Sequence, residues 1–498
     1  MPFNFSPISD MTEETMNLLK DVTSNGISSG SGLNAYLLEA DVKELFPTKY
    51  PLFKTLPRHT PAVGSTVLNW KAIVSLDANG HPSVAEGSRN EFFPFVTRPM
   101  SANFQFFGKD GKVTVVAQET IKGLDDALGI NQRNLINALL NDLEKEYMFG
   151  NASVSLGQCP TPTVTVKAGG SIPVSTTVQV FCVGLSAWGA SGKGYNTTGC
   201  LSTRTRTNAD GTTTTINGGV GKISAGSADA TTTTGNQTVT ATVTGYATGT
   251  VAFAWYITSA GTAATAYFAG VTNVPSITIS AIPSSSNQAA SDATLATDYS
   301  TNSGDVDGLL NQALMNATGA SPSYVKDLAG AALTSNNDGT IAEFEAALDY
   351  LWLNYKIVPD IAWVGGSLIS SVNKAILSGT TSTLRQVITS DQAGNFTAGN
   401  LVASYRSKYS YDGAPKALDV RVHPWLPQGC IVFDLVNNPY AESGNTIPTA
   451  RRISTLLDFM AIDYPMVSTQ WTQGVYCYDA FQTYIPFGIG ALTNVAAS

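Results

Sequence analysis

Three histidines, five cysteines and a few grouped carboxylates are the side chains of this sequence with types suited to bond-making chemistry. His81 and His423 each precede a proline, which biases the backbone toward extended or turn conformations. His59 stands alone. A histidine base needs a nucleophile or an orienting carboxylate at defined spacing. No His-Glu-x-x-His, P-loop, Gly-x-Ser-x-Gly or Cys/His metal spacing occurs. Glu343, Glu345 and Asp349 lie along one helical pattern, where a solvated face explains them better than an acid/base pair. Gly365-Gly366 before Ser367 has the form of an anion-holding helix start, but a tight strand-to-helix turn accounts for it more simply. Cys159, Cys182, Cys200, Cys430 and Cys477 are odd in number and include no Cys-x-x-Cys pair. Free buried thiols are expected, with one disulfide among the first three as the alternative. No catalytic residue, cofactor or metal is expected, so the chain reads as a non-enzyme.

The 498 residues leave room for roughly three domains. Charged residues make up 13%, about half the usual share. Thr, Ser, Asn and Gly must therefore carry much of the solvation. A net charge of −9 argues against gripping nucleic acid through a broad basic face. The opening "MPFNFSPISDMTEETMNLLKD" has acidic residues and no apolar core, so it does not read as a signal peptide. No run of about 18 apolar residues predicts a membrane helix.

The elements that must position these side chains change character along the chain. Residues 1–50 read as an arm, with short helices over Met11–Asp21 and Leu37–Phe46 around the flexible "SNGISSGSG". So few core residues imply that the arm packs against something else. Residues 51–100 read as a projecting β-hairpin, with Asn79-Gly80 as its turn. Residues 101–158 hold a strand, Lys112–Ala117, and the best helix, Asn131–Phe149. Leu135, Ile136, Leu139, Leu140, Leu143 and Tyr147 form its apolar face. Asp142, Glu144, Lys145 and Glu146 take the polar side, and Gly150 is the C-terminal glycine.

Residues 159–283 read as an inserted sandwich of about seven strands. Strands are expected at Thr163–Lys167, Thr177–Leu185, Thr238–Thr244, Val251–Thr258, Ala264–Phe268 and Ser276–Ser280. From Ala230 to Ser291 there is no Asp, Glu, Lys or Arg. Here "GNQTVTATVTGYATGTVAFAWYIT", Gly235–Thr258, reads as one hairpin with Val251, Phe253, Trp255 and Ile257 facing the core. Tyr246 and Tyr267, where exposed, are the better sugar or partner contacts. Residues 284–465 resume an α+β pattern. A Thr340–Glu343 capping box opens one helix and Ser367 caps another. Strands lie in "PDIAWVGG", "NLVASYRSKY", "ALDVRVHPWL" and "QGCIVFDL". Residues 466–498 close with a Tyr-rich strand broken at Pro486.

This order of arm, hairpin, long helix and α+β body resembles the major capsid proteins of tailed bacteriophages with the Hong Kong 97 fold. "LLEADVKELFPTKYPLFKTLP" is similar to the end of the family's N-arm, with Ala40 where Pro is usual. "NWKAIVSLDANGHPSVAEG" is similar to its extended loop, and Asn131–Phe149 to its spine helix. "ALDVRVHPWLPQGCIVFDL" resembles an axial-domain strand and turn, and "YDAFQTYIPFGIGALTNV" the closing strand of the peripheral domain. Residues 159–283 fall outside the resemblance and look like an immunoglobulin-like or fibronectin type III-like module.

The resemblance implies an α+β Hong Kong 97-like fold with an all-β insertion. It implies hexamers and pentamers in an icosahedral shell around double-stranded DNA, held nearby without sequence-specific binding. Scaffold, portal and decoration proteins are the further partners, with no membrane. The location is the virion, and the host cytoplasm during assembly. Trp70, Lys71, Glu86 and Arg89 are the inter-subunit contact candidates. Some capsids of this fold crosslink an extended-loop lysine to a neighbour's asparagine. Lys71 is the nearest counterpart, but no crosslink is expected, because nothing marks its partner. The insertion is expected to project outward and to be dispensable for assembly. The alternative is a phage tail or surface adhesin whose sandwich binds host glycans.

Overall fold

The computed structural model describes residues 49–497, apart from 62–63, 77–82, 91, 93–94, 122–125, 234, 236, 260, 319–320, 378–403, 410–415 and 441–446. The two expected arm helices, the Asn79-Gly80 turn and His81 lie outside the described residues.

Pro51–Thr55 forms helix α1, with proline in its first turn, where a missing N–H costs nothing. Strand β1 (Arg58–His59) follows. Residues 51–59 are therefore anchored in the body rather than in the hairpin, because Leu52 and Leu56 are buried in the main core. The hairpin proper is β2 (Val67–Leu76) against β3 (Phe95–Asn103), antiparallel and paired with no other strand among the described residues. β4 (Gln105–Thr114) ends earlier than the expected strand. Thr114 Oγ1 accepts the Ala117 N–H at 3.2 Å and so starts helix α2 (Val115–Ile121).

The long helix α3 (Ala127–Phe149) begins before the predicted start because Asp126 caps it, accepting from the Leu128 N–H at 3.2 Å. Leu135, Leu139, Leu143 and Tyr147 are buried, but so are Glu144 and Glu146, which corrects their assignment to a solvated face. Gly150 is not the left-handed terminator expected, since its φ is −52°. Glycine fits there because a Cβ would lie 2.5 Å from the Val306 carbonyl oxygen.

The insertion contains β5 (Thr163–Ile172), β6 (Thr177–Leu185), β7 (Thr203–Thr207), β8 (Thr213–Asn217), β9 (Ala230–Thr231), β10 (Gln237–Thr242), β11 (Ala252–Thr258), β12 (Ala266–Thr272) and β13 (Ser276–Ile279). One sheet runs β13-β10-β5 and the other β12-β11-β6-β9, while β7 and β8 form a separate ribbon. The Gly235–Thr258 stretch is thus not a hairpin. β10 and β11 lie in different sheets, and the Gly245–Gly249 connection arches between them. Each strand already has two neighbours, and each buries residues toward the shared core, so pairing them would strand one apolar face in water. Thr163–Thr242 and Thr240–Thr278 hydroxyl pairs, at 2.8 and 3.2 Å, pave the outside of the three-stranded sheet without charge.

The chain returns through α4 (Leu309–Met315), β14 (Tyr324–Asp327), α5 (Ala342–Tyr355), β15 (Ile361–Gly365) and α6 (Leu368–Leu377). It continues with β16 (Ser404–Arg406), β17 (Ala417–His423), β18 (Ile431–Asp434), β19 (Arg451–Ser468), β20 (Gln470–Thr483) and β21 (Gly490–Thr493). The overall class is α+β. A six-stranded sheet, β14-β21-β18-β15-β17-β16, has α5 and α6 on one face. Its other face, with Ile361, Trp363 and Val432, packs on residues of α1, α3 and α4. A second sheet runs β1-β19-β20-β4.

Two boundaries differ from expectation. Residues 451–465 pair with β20 rather than within the six-stranded sheet, and β21, after the break at Pro486, crosses into that sheet instead of staying beside β20. The Thr340–Glu343 capping box does not form. The Thr340 hydroxyl donates to Asp338 at 2.6 Å, and Glu343 instead accepts the Thr334 N–H at 2.9 Å.

The insertion shares the host core: Val251 and Ala187 join it, and Trp188 packs on Phe149 with ring centres 5.9 Å apart. The host backbone meets itself at Asn151 and Asn302, whose N–H donates to the Asn151 carbonyl at 2.8 Å. Residues 152–301 are therefore the natural unit to excise. Replacing them with a short Gly/Ser linker should leave a cooperative thermal transition by circular dichroism. The variant should be less stable by about 2–5 kcal/mol, from the exposure of Phe149 and loss of Val251.

Candidate assembly surface

A buried carboxylate fastens the start of the described chain to the body. The Leu52 and Phe53 N–H groups, orphaned at the start of α1, donate to Glu144 Oε1 and Oε2 at 2.7 and 2.8 Å. His423 Nε2, at the end of β17, is 2.7 Å from the same Oε1. His423 Nδ1 accepts the Trp425 N–H at 3.3 Å, so Nε2 carries the proton and donates to Glu144. Both side chains are fully buried.

A second clamp sits one turn further on. The Arg58 guanidinium spans both oxygens of buried Asp479 at 3.1 Å and reaches Asp458 at 2.8 Å. It also lies 4.7 Å from the centre of the Phe459 ring. The Tyr147 hydroxyl donates to Asp479 at 3.0 Å. Burial holds the Asp479 carboxyl above the usual range, opposed by the Arg58 charge.

Beyond these clamps the hairpin offers surface rather than chemistry. Trp70 is half-buried, 5.9 Å from Tyr484 edge to face, and its indole N–H is buried without a hydrogen-bond partner. Lys71 is exposed opposite Pro99. Glu86 and Arg89 are exposed near the tip, where the Ser88 N–H to Ala85 carbonyl bond (3.0 Å) closes a turn that Gly87 enters at φ +80°. Trp70 thus faces the body while Lys71, Glu86 and Arg89 face solvent, and the four do not converge. Ile73, Val84, Phe92 and Val96 are exposed on the same hairpin, Phe92 almost fully (97%). Phe106, Met460, Tyr464 and Met466 extend apolar exposure onto the sheet beside it. Sequence reasoning missed this concentration because a strand pattern does not say which of its two faces lacks a partner.

Elsewhere the polar residues close local structure. Glu345 accepts the Tyr405 hydroxyl at 2.5 Å, and Asp349 accepts the Tyr409 hydroxyl at 2.8 Å. Lys408 bridges both carboxylates, so they latch the β16 region onto α5 rather than facing solvent alone. Ser367, just before α6, donates its hydroxyl to Gln428, and a Cβ on Gly365 would lie 2.9 Å from the Pro427 carbonyl oxygen, the tight turn expected there. His59 is exposed, and all five cysteines are buried and unbridged. Trp255 is fully buried, its N–H on Thr272 Oγ1 at 2.8 Å, and Phe253 and Ile257 share that sandwich core. Among the described residues no group of His, Cys, Asp or Glu could hold a metal ion, and no helix is long and apolar enough to cross a membrane.

A groove of about 510 Å³ runs under the hairpin, lined by Trp70, Arg98, Asp305, Asp307 and Gln312. Asp307 is tied down by the Ala152 and Ser153 N–H groups, both at 3.0 Å. Asp305 accepts from Asn302 Nδ2 at 2.8 Å, yet burial pushes its carboxyl up to about 7. Burial, then the charges of Asp305 and Asp142, also raises Glu146, with Lys145 opposing. Glu146 Oε2 is buried with no hydrogen-bond partner.

Two outcomes follow from this geometry. Glu144→Ala leaves two buried N–H groups and His423 unpaired, and should cost about 3–5 kcal/mol in denaturant unfolding, with residues near Leu52 losing amide protection. For Asp305 the folded carboxyl holds its proton to higher pH than the unfolded one, so stability should fall as pH rises from about 4 to 7. Asp305→Asn should flatten that fall by an amount on the order of 2–4 kcal/mol, read from unfolding midpoints across pH.

No family model matches the chain, and no curated protein matches it. Solved structures do align over most of its length. The cyanophage A-1(L) capsid asymmetric unit is 9% identical at a TM-score of 0.40, covering 92% of this chain and 97% of that one. The capsid structure of the cyanophage P-SCSP1u is 9% identical at 0.39, with both chains covered fully. The holo-SrpI encapsulin complex from Synechococcus elongatus is 10% identical at 0.36, with 93% of each chain covered.

Proposed function

We propose that this chain is a major capsid protein of a tailed bacteriophage, with a Hong Kong 97-like fold, assembling as hexamers and pentamers into an icosahedral shell around double-stranded DNA. It acts as a structural protein and not an enzyme. The observation that carries the reading is the β2–β3 hairpin. It pairs with no other strand of the described chain, yet exposes Ile73, Val84, Phe92 and Val96. An isolated two-stranded ribbon is marginal in water, and an apolar patch of this kind asks for cover. A neighbouring copy supplies both in a closed symmetric assembly. Lys71, Glu86 and Arg89 are then rim contacts, and the sparsely charged insertion projects outward. Scaffold, portal and decoration proteins are the natural further partners.

The adhesin reading finds less support. Strand β11 is buried on both faces, and Tyr246 packs on Phe253 at 4.7 Å with its hydroxyl 3.4 Å from Asn494 of the host. That ring is not free to stack on a sugar.

Expressed alone or with a scaffold, the full chain should give closed symmetric particles by negative-stain electron microscopy. Phe92→Ser with Val96→Thr should reduce particle yield while leaving the melting temperature of the soluble chain within a degree or two. A strictly monomeric protein at high concentration, under all these conditions, would sink the proposal.

A further inference from the structure

We infer that the C-terminal end of α3 and the Asp305–Val306 segment form a calcium site, whose protein ligands are the Glu146 carboxylate and the main-chain carbonyls of Glu146 and Val306. A Cβ on Gly150 would lie 2.5 Å from the Val306 carbonyl oxygen and 2.6 Å from both Glu146 O and Glu146 Oε2. Three oxygens from two distant segments thus converge beside the Gly150 Cα, where any other residue would place carbon. Calcium takes carboxylate and carbonyl oxygens at roughly 2.3–2.6 Å, in flexible arrangements completed by water. The ion sits outward from the Cβ point, clear of the glycine. Side chains alone would not hold it, because two of the three ligands are main-chain groups.

Further observations point to a cation rather than to packing. Glu146 is more than nine-tenths buried, and its Oε2 has no hydrogen-bond partner. A carboxylate oxygen left in that state is costly. Asp305, next to Val306 in the chain, is as deeply buried. Burial, then the charges of Asp305 and Asp142, raise the Glu146 carboxyl against Lys145. Burial raises Asp305 as well, and the Asp307 charge adds to it against hydrogen bonds from Asn302 and Asn151. Lys145 is engaged elsewhere, with its Nζ 3.2 Å from Asp142 and 4.5 Å from the centre of the Trp425 ring. Arg98 lines the groove but makes no ion pair with either aspartate. Two carboxylates therefore share a buried corner with no cation matched to them, and a divalent ion neutralises both. Asp305, Val306 and Asp307 line the groove under the hairpin, which gives the ion its path and its water. The Gly308 N–H donates to the Gly150 carbonyl at 3.0 Å, so the ion would staple α3 to the chain returning from the insertion. Magnesium, which demands a strict octahedron and keeps its waters, suits such a corner poorly. The site does not depend on shell formation.

The test is calcium titration of the EGTA-treated full chain, read by thermal unfolding and isothermal calorimetry. Near pH 7.5, calcium at about 5 mM should raise the melting temperature by about 3–6 °C. The ion requires ionised carboxylates, and Asp305 holds its proton up to about 7. Affinity should therefore fall at least about twentyfold from pH 7.5 to 5.5, with more protons released per ion bound at the lower pH. Glu146→Gln keeps the shape without the charge and should abolish the shift. Asp305→Asn should weaken binding about tenfold, and it keeps the test readable should Glu146→Gln fail to fold. Asp210→Asn, on the exposed β7–β8 turn, should leave the shift intact. No calcium-dependent shift or heat near pH 7.5 would overturn the site and leave Glu146 a protonated carboxyl. An equal shift with magnesium, or with calcium in Glu146→Gln, would overturn it as well, by marking general screening or an ion bound elsewhere.

Discussion

Glu144 is the charge on which the architecture turns. It sits in the middle of the long helix, out of reach of water, and its two oxygens are filled by two backbone N–H groups of α1 and by His423. A buried carboxylate is costly unless every lone-pair direction finds a donor. That requirement fixes three segments relative to one another: the entry helix, the long helix, and the end of β17. Residues 52, 144 and 423 are far apart in sequence, so the clamp forms only when these distant segments of the host come together. Arg58 on Asp479 and Asp458 extends the same fastening toward the β19–β20 ribbon.

Outside these clamps the hairpin is less enclosed than the body. The body has two packed faces on its six-stranded sheet, while the hairpin is a two-stranded ribbon that, among the described residues, leaves Ile73, Val84, Phe92 and Val96 exposed. Its apolar residues gain little inside one chain. They gain much if a second surface closes over them, because burial returns about 25 cal/mol per Å² of apolar area. The low charge of the insertion has a different origin: threonine hydroxyls pair across neighbouring strands and satisfy the surface without ions.

Much of the fold was legible in the sequence where a single periodicity dominates. Thr177–Leu185 was read with its observed bounds, and the 3.6-residue spacing located Leu135, Leu139, Leu143 and Tyr147 on the buried face of α3. Glu144 and Glu146 were misplaced because charge in a helix pattern is normally a sign of solvent. Only partners supplied by α1 and β17 make burial of Glu144 affordable. The 18-residue β19 went unread, since its bulges at Thr455–Met460 interrupt the alternation on which a strand reading depends. The exposed face of the hairpin was unreadable for a related reason: alternation reports that two faces differ, not whether either finds cover.

Local chemistry in the chain determined the class of the molecule: an α+β host, a Thr-rich sandwich with few charges, and an acidic arm. These follow from composition and from periods of two and 3.6 residues, which act over a few neighbours. Tertiary structure alone decided that β10 and β11 belong to opposite sheets, that β21 leaves β20 for the central sheet, and that Glu144 is a buried fastener. Each of these depends on which partner satisfies a strand edge or a desolvated charge. That partner sits tens to hundreds of residues away, where no local pattern can name it.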